Sequence, residues 1–118
     1  MSTLTIIAIS IVIVLHILFL ILEMFLWNTP YGRKTFALSE DYAKQSATLA
    51  ANQGLYNGFL AAGLLWGLIS TGGFDALIFF LCCIIIAGIY GGITANRSIL
   101  WLQALPAAIA LSLLIFIT

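Results

Sequence analysis

Charge is nearly absent: four Lys or Arg and four Asp or Glu are all that 118 residues carry, 7% of the chain. A soluble domain needs roughly a quarter of its residues charged because its surface faces water, so an ordinary water-soluble globule is excluded. With zero net charge and no cluster of bases, the chain lacks the electrostatic footprint that binding to nucleic acid requires, and no nucleic-acid partner is expected. Cysteine is limited to Cys82 and Cys83, whose neighbouring side chains diverge by about 100° on a helix and cannot bridge each other. With no cation or base nearby to favour a thiolate, they read as free apolar residues. One histidine gives too few ligands for a metal site, which ordinarily takes three or four. The phosphate-cradling lysine loop, the HExxH pattern and CxxC are all missing, and no cofactor is expected.

What fills the chain instead is apolar: 64% of the residues, with a mean hydropathy of +1.21. Spanning about 30 Å of hydrocarbon takes about 20 apolar residues in a helix. Four such runs stand out, near Leu4–Trp27, Leu49–Ile69, Phe74–Ala95 and Ile99–Ile117. Short breaks separate them at Thr29-Pro30-Tyr31-Gly32, Thr71-Gly72-Gly73 and Asn96-Arg97-Ser98. Ser39-Glu40-Asp41 has the form of a helix start, with acids in the first turn, so the second helix is expected to begin outside the membrane. The first run has no preceding base and no small-residue cleavage pattern, and it is too long for a secretory signal core, so it reads as a membrane helix. The expected fold is all-α and integral to the membrane: one domain, 1–118, a four-transmembrane-helix bundle with helices at about 4–27, 43–69, 74–95 and 99–117.

Orientation follows from the bases. Arg33, Lys34 and Lys44 lie in the first connection and Arg97 in the third, while the second connection and both ends have none. The positive-inside rule then puts the first and third connections in the cytoplasm and both termini outside.

On this topology the polar residues gather in the cytoplasmic half. Glu23 falls about 6 Å before the cytoplasmic end of the first helix; Asn52, Gln53, Tyr56 and Asn57 open the second, Tyr90 and Thr94 close the third, and Gln103 opens the fourth. Polar groups in hydrocarbon need partners or water, and ionisable ones normally face a bundle interior or a wet cavity. The expectation is a polar pocket centred on Glu23 and opening to the cytoplasm. Asn52 and Tyr56, Gln53 and Asn57, and Tyr90 and Thr94 each repeat at four residues, the interval of helix-surface neighbours. The competing reading of each amide is plain helix-to-helix hydrogen bonding; for Glu23 it is snorkelling or a pair with Arg33 or Arg97. His16, about 10 Å up the same helix face from Glu23, is either a packing donor or a proton relay that extends the pocket.

Small residues form stripes that favour close packing in lipid: Ala50, Gly54, Gly58 and Ala62, with Gly63 and Gly67 beside them, and Gly88 with Gly92 and Ala87 with Gly91 and Ala95. They predict tight packing of the second helix on the third, or a face for a neighbouring subunit. Pro106 predicts a bend in the fourth helix.

The strings Leu22-Glu23-Met24-Phe25-Leu26-Trp27, Gly32-Arg33-Lys34, Leu49-Ala50-Ala51-Asn52-Gln53-Gly54-Leu55-Tyr56-Asn57-Gly58, Ala87-Gly88-Ile89-Tyr90-Gly91 and Gln103-Ala104-Leu105-Pro106 resemble the bacterial membrane family catalogued as domain of unknown function 1304. The resemblance covers essentially the whole chain. It implies a small four-helix protein of the bacterial cytoplasmic membrane, and it brings no catalytic residue. In layout the chain is also similar to small multidrug resistance exporters, which carry a carboxylate in helix one. It is similar as well to the membrane-associated eicosanoid and glutathione metabolism proteins, to which Ala51-Asn52-Gln53 and Asn57 correspond, though their arginine-rich pocket is missing here.

Three functions compete. The favoured one binds or transports a small polar or amphipathic molecule, with Glu23 as counter-ion or proton-coupled carrier and Asn52, Gln53, Tyr56, Asn57, Tyr90, Gln103 and His16 as pocket residues. A membrane enzyme acting on a lipid or lipophile would use Glu23 as acid or base and Tyr56 or Tyr90 as donors to developing charge, but no nucleophile with an evident base is present. A non-catalytic subunit or scaffold would need only the small-residue stripes. Membrane lipid, a small-molecule ligand and a second copy of the chain are the expected partners.

Overall fold

The computed structural model describes residues 1–117. They form five helices: α1 (Thr3–Met24), α2 (Pro30–Phe36), α3 (Glu40–Ile69), α4 (Phe74–Thr94) and α5 (Leu105–Phe116), the last entered through a π-helical turn, Leu100–Ala104. Among the described residues there is no strand. Two helices, α1 and α4, are long and apolar enough to cross a membrane, while Leu100–Phe116 is a shorter apolar helix. The chain divides into two compact units, one built from Met1–Leu15 with the chain from Leu60 onward, the other from His16–Phe59.

In the first unit, Ser2 caps α1 by accepting from the Thr5 amide at 3.1 Å. The core takes Ile9, Val12 and Ile13 from α1, Ala61 and Leu64 from α3, Leu77, Leu81 and Ile84 from α4, and Ala107, Ala110 and Leu114 from α5. Leu77, Leu81, Ile84, Gly88 and Gly92 make one buried stripe along α4, at the i, i+4, i+7 spacing of a single helix face. The glycines at its end admit the π turn: a Cβ on Gly88 would lie 2.6 Å from the Ala104 nitrogen, and one on Gly92 would run into the Leu100 side chain. Gly63 and Gly67 meet Phe80 and Leu77 of α4, so this part of the small-residue pattern packs α3 on α4, as its spacing predicts.

Where Pro106 led to the expectation of a bend, the structure has a π turn. Leu105 N–H donates to Leu100 O, five residues back. Pro106 has no N–H, and its ring would strike the carbonyl four residues earlier in a regular helix; a widened turn just before it relieves that clash. Opposite the core, Ile6, Ile7, Ile11 and Val14 of α1 and Phe79, Ile86, Ile89 and Ile93 of α4 are exposed. Both helices thus carry apolar side chains on the side away from the core as well as on the side toward it.

The second unit holds the one element the pattern of apolar runs leaves out. Expected to continue to about residue 27, α1 ends at Met24, and Thr29-Pro30, read as a break, starts a new helix. Thr29 is extended and its Oγ1 accepts from Gly32 N at 3.2 Å, with Pro30 in the first turn, where its missing N–H costs nothing. Gly32 is required there, because a Cβ would collide with the Leu26 carbonyl. The helix closes on Ala37, left-handed at φ 54 and ψ 47, with Leu38 N–H donating back to Arg33 O at 2.8 Å. Ser39 then caps α3 through the Tyr42 amide at 3.1 Å, as its position before two acids predicts.

Candidate ligand site

The site lies within the His16–Phe59 unit. One face of α3 there is buried at Ala43, Ala50, Gly54 and Asn57, a 7-4-3 spacing that keeps all four on one side of a helix. Small residues on this face let α1 come close: a Cβ on Gly54 would sit 2.7 Å from Met24 Cγ, 3.1 Å from Glu23 Cβ and 3.2 Å from the Leu20 carbonyl, and one on Gly58 would meet Leu20 Cδ1 at 2.6 Å. Gly54 and Gly58 of that stripe thus serve α1, where the spacing alone suggested packing on the third helix.

That approach brings Glu23, half-buried, against Asn57, which is 4% exposed. Asn57 Nδ2 donates to Glu23 Oε1 at 2.5 Å. A carboxylate only accepts, so the amide must turn its NH2 toward Glu23 and its carbonyl oxygen away. Every buried side-chain nitrogen and oxygen among the described residues has a hydrogen-bond partner. Glu23 Oε2 and Asn57 Oδ1 take no part in one, so neither is fully enclosed by the chain.

A second tie holds the two strands of chain further on. Trp27 Nε1 donates to Ser46 Oγ at 3.0 Å, Ser46 in turn donates to Tyr42 O at 2.6 Å, and the indole packs on Phe36 with ring centres 4.8 Å apart. Arg33 Nη1 is held by Asn28, through its carbonyl oxygen at 3.2 Å and its Oδ1 at 3.0 Å. Among the described residues Glu23 forms no ion pair with Arg33 or Arg97, and its partner is the amide of Asn57.

Of the other residues singled out by sequence, His16 is fully buried and meets Phe19 edge-on at 5.2 Å. Asn52, Gln53 and Tyr56 are exposed, with the Tyr56 ring edge-on to Phe59 at 5.8 Å. Tyr90 and Gln103 belong to the other unit, Tyr90 at 70% exposure and Gln103 half-buried in the π turn. Among the described residues no three His, Cys, Asp or Glu side chains gather as metal ligands.

Residues 10–115 match the family described as protein of unknown function (DUF1304). The chain belongs to the DUF1304 family. The match spans both partners of the Glu23–Asn57 pair and the Trp27–Ser46 tie. The DUF1304 chain is also similar to Uncharacterized protein YpaA of Lactococcus lactis subsp. lactis (strain IL1403), 30% identical over 115 residues that cover 94% of this chain and 96% of the relative. No solved structure matches it.

Proposed function

We propose that this DUF1304 protein is a multi-pass protein of the bacterial cytoplasmic membrane, and that Glu23, held by Asn57, binds or carries a small polar or amphipathic molecule reached from the cytoplasmic side. In this reading α1, α3, α4 and α5 all cross the bilayer, with the α1–α3 and α4–α5 connections in the cytoplasm and both termini outside. The placement of Arg33, Lys34, Lys44 and Arg97 supports that orientation. The 30 residues of α3 extend about 45 Å, enough to cross about 30 Å of hydrocarbon and still carry Glu40, Asp41 and Lys44 into water.

The observation that carries the reading is the pair itself: a carboxylate near the end of an apolar helix, fixed by one amide, with a second oxygen left over. Simple adhesion between helices needs only an amide on each side, and a carboxylate at depth is costly unless it has work to do. Native mass spectrometry of the mildly solubilised protein, wild type beside Glu23→Gln, tests it. A discrete small molecule retained by the wild type and lost from the variant is expected. The same mixed phospholipid on both would refute a site at Glu23 and favour a scaffold.

A further inference from the structure

The chemistry of the two free atoms says more about what the site takes. We infer that the Glu23–Asn57 pair binds the head of an amphipathic organic cation that carries at least two N–H donors, a primary ammonium or a guanidinium on an aliphatic tail. This rests on the reading of Glu23 as a ligand site. Glu23 Oε2 and Asn57 Oδ1 are both acceptors, and the donor between them, Asn57 Nδ2, already serves Glu23 Oε1. A head built from acceptors, a phosphate, sulfate or carboxylate, meets repulsion from both atoms. A hydroxyl has one hydrogen to give and no charge.

Charge balance points the same way. Among the described residues Glu23 has no cationic partner; Arg33 is turned to Asn28, and Lys34 and Lys44 are exposed. A carboxylate in apolar surroundings without a counter-ion is destabilising, and a cationic head supplies one. Charge-assisted hydrogen bonds to two acceptors also reward a head that can donate twice, which a quaternary ammonium cannot. The tail has apolar surface to lie on: Ile17, Leu18 and Ile21 of α1 and Leu55 and Phe59 of α3 are exposed in this unit.

The test uses full-length protein in phosphatidylcholine nanodiscs, titrated calorimetrically at neutral pH against empty nanodiscs with octylamine, octyltrimethylammonium, octanoate and octanol. The four probes share a tail and differ in the head. Saturable binding of octylamine is expected, at least tenfold tighter than the other three and weakened tenfold or more by Glu23→Gln, whose side-chain carbonyl can still accept from Asn57. If Glu23→Gln is not monodisperse, the ranking of the four probes on the wild type decides alone. Octyltrimethylammonium binding as tightly as octylamine would overturn the N–H requirement. Octanoate or octanol binding best, and lost in Glu23→Gln, would overturn the cation while leaving a Glu23 site standing. All four probes behaving alike on both proteins would overturn the site as well.

Discussion

Replacing Gly54 by alanine adds one methyl group where α3 meets the Leu20–Met24 turn of α1, and the structure says what that methyl strikes. It would lie 2.7 Å from Met24 Cγ, 3.1 Å from Glu23 Cβ and 3.2 Å from the Leu20 carbonyl oxygen, where carbon pairs prefer about 3.5–4.0 Å. Met24 is flexible and can swing aside. The Glu23 Cβ and the Leu20 carbonyl are fixed to the helix and move only with it. Overpacking of this kind costs about 1–3 kcal/mol, against a helix-propensity gain of about 1 kcal/mol for leaving glycine, so a net loss of about 1 kcal/mol is expected. Gly58→Ala is the matched control, because its methyl meets the flexible end of Leu20 at 2.6 Å and nothing else closer than 3.9 Å. There the propensity gain survives, and the variant should be neutral or slightly stabilised. Thermal unfolding followed by circular dichroism, both variants in one detergent at one concentration, measures the difference. Gly54→Ala as stable as Gly58→Ala would refute the claim that backbone approach at Gly54 holds this helix pair.

Gly88→Ala puts its methyl 2.6 Å from the Ala104 nitrogen and 2.9 Å from its Cα, backbone that cannot rotate away, so a loss of about 2 kcal/mol is expected in the same melt; an unchanged midpoint would contradict it. Ala37→Gly relieves a left-handed alanine at φ 54 and should stabilise the α2–α3 turn by up to about 1 kcal/mol, read as slower proteolysis between Phe36 and Glu40. Trp27→Phe keeps the packing on Phe36 but loses the 3.0 Å bond to Ser46, a cost of about 1 kcal/mol in the melt. In a Cys82→Ser/Cys83→Ser background, Thr35→Cys should react with an impermeant maleimide only in inside-out vesicles and Thr71→Cys only in right-side-out ones; the reverse pattern would invert the proposed orientation.

Glu23 was legible because an acid inside an apolar run has few reasons to be there. Its partner was harder to pick out. Asn52, Gln53, Tyr56 and Asn57 all sit within six residues, and intervals of four made Gln53 and Asn57 look equivalent. The buried face runs through Ala43, Ala50, Gly54, Asn57, Ala61 and Leu64, so the small residues themselves mark which amide turns inward; Gln53, next to Gly54 in sequence, is rotated to the side of that line and is exposed. The helix α2 is hard to see in the sequence because Pro30 has the character of a breaker, although a threonine before a proline is also the signature of a helix start. Pro106 predicted a bend, but nothing in the order of residues distinguishes a kink from the widened turn that the structure adopts at Leu100–Ala104.

The two hydrogen-bonded ties of the His16–Phe59 unit have a mechanical meaning. Trp27–Ser46 and Glu23–Asn57 fasten the same two stretches of chain at points about 16 Å apart along α3. Two point attachments by themselves leave one freedom, rotation about the line that joins them. Gly54 lies between the ties in sequence, and the close approach of α1 that its missing Cβ allows, with Glu23 Cβ and the Leu20 carbonyl where that Cβ would stand, is what opposes the rotation. A larger residue at this position therefore does more than crowd its neighbours: it turns a braced joint into a hinge.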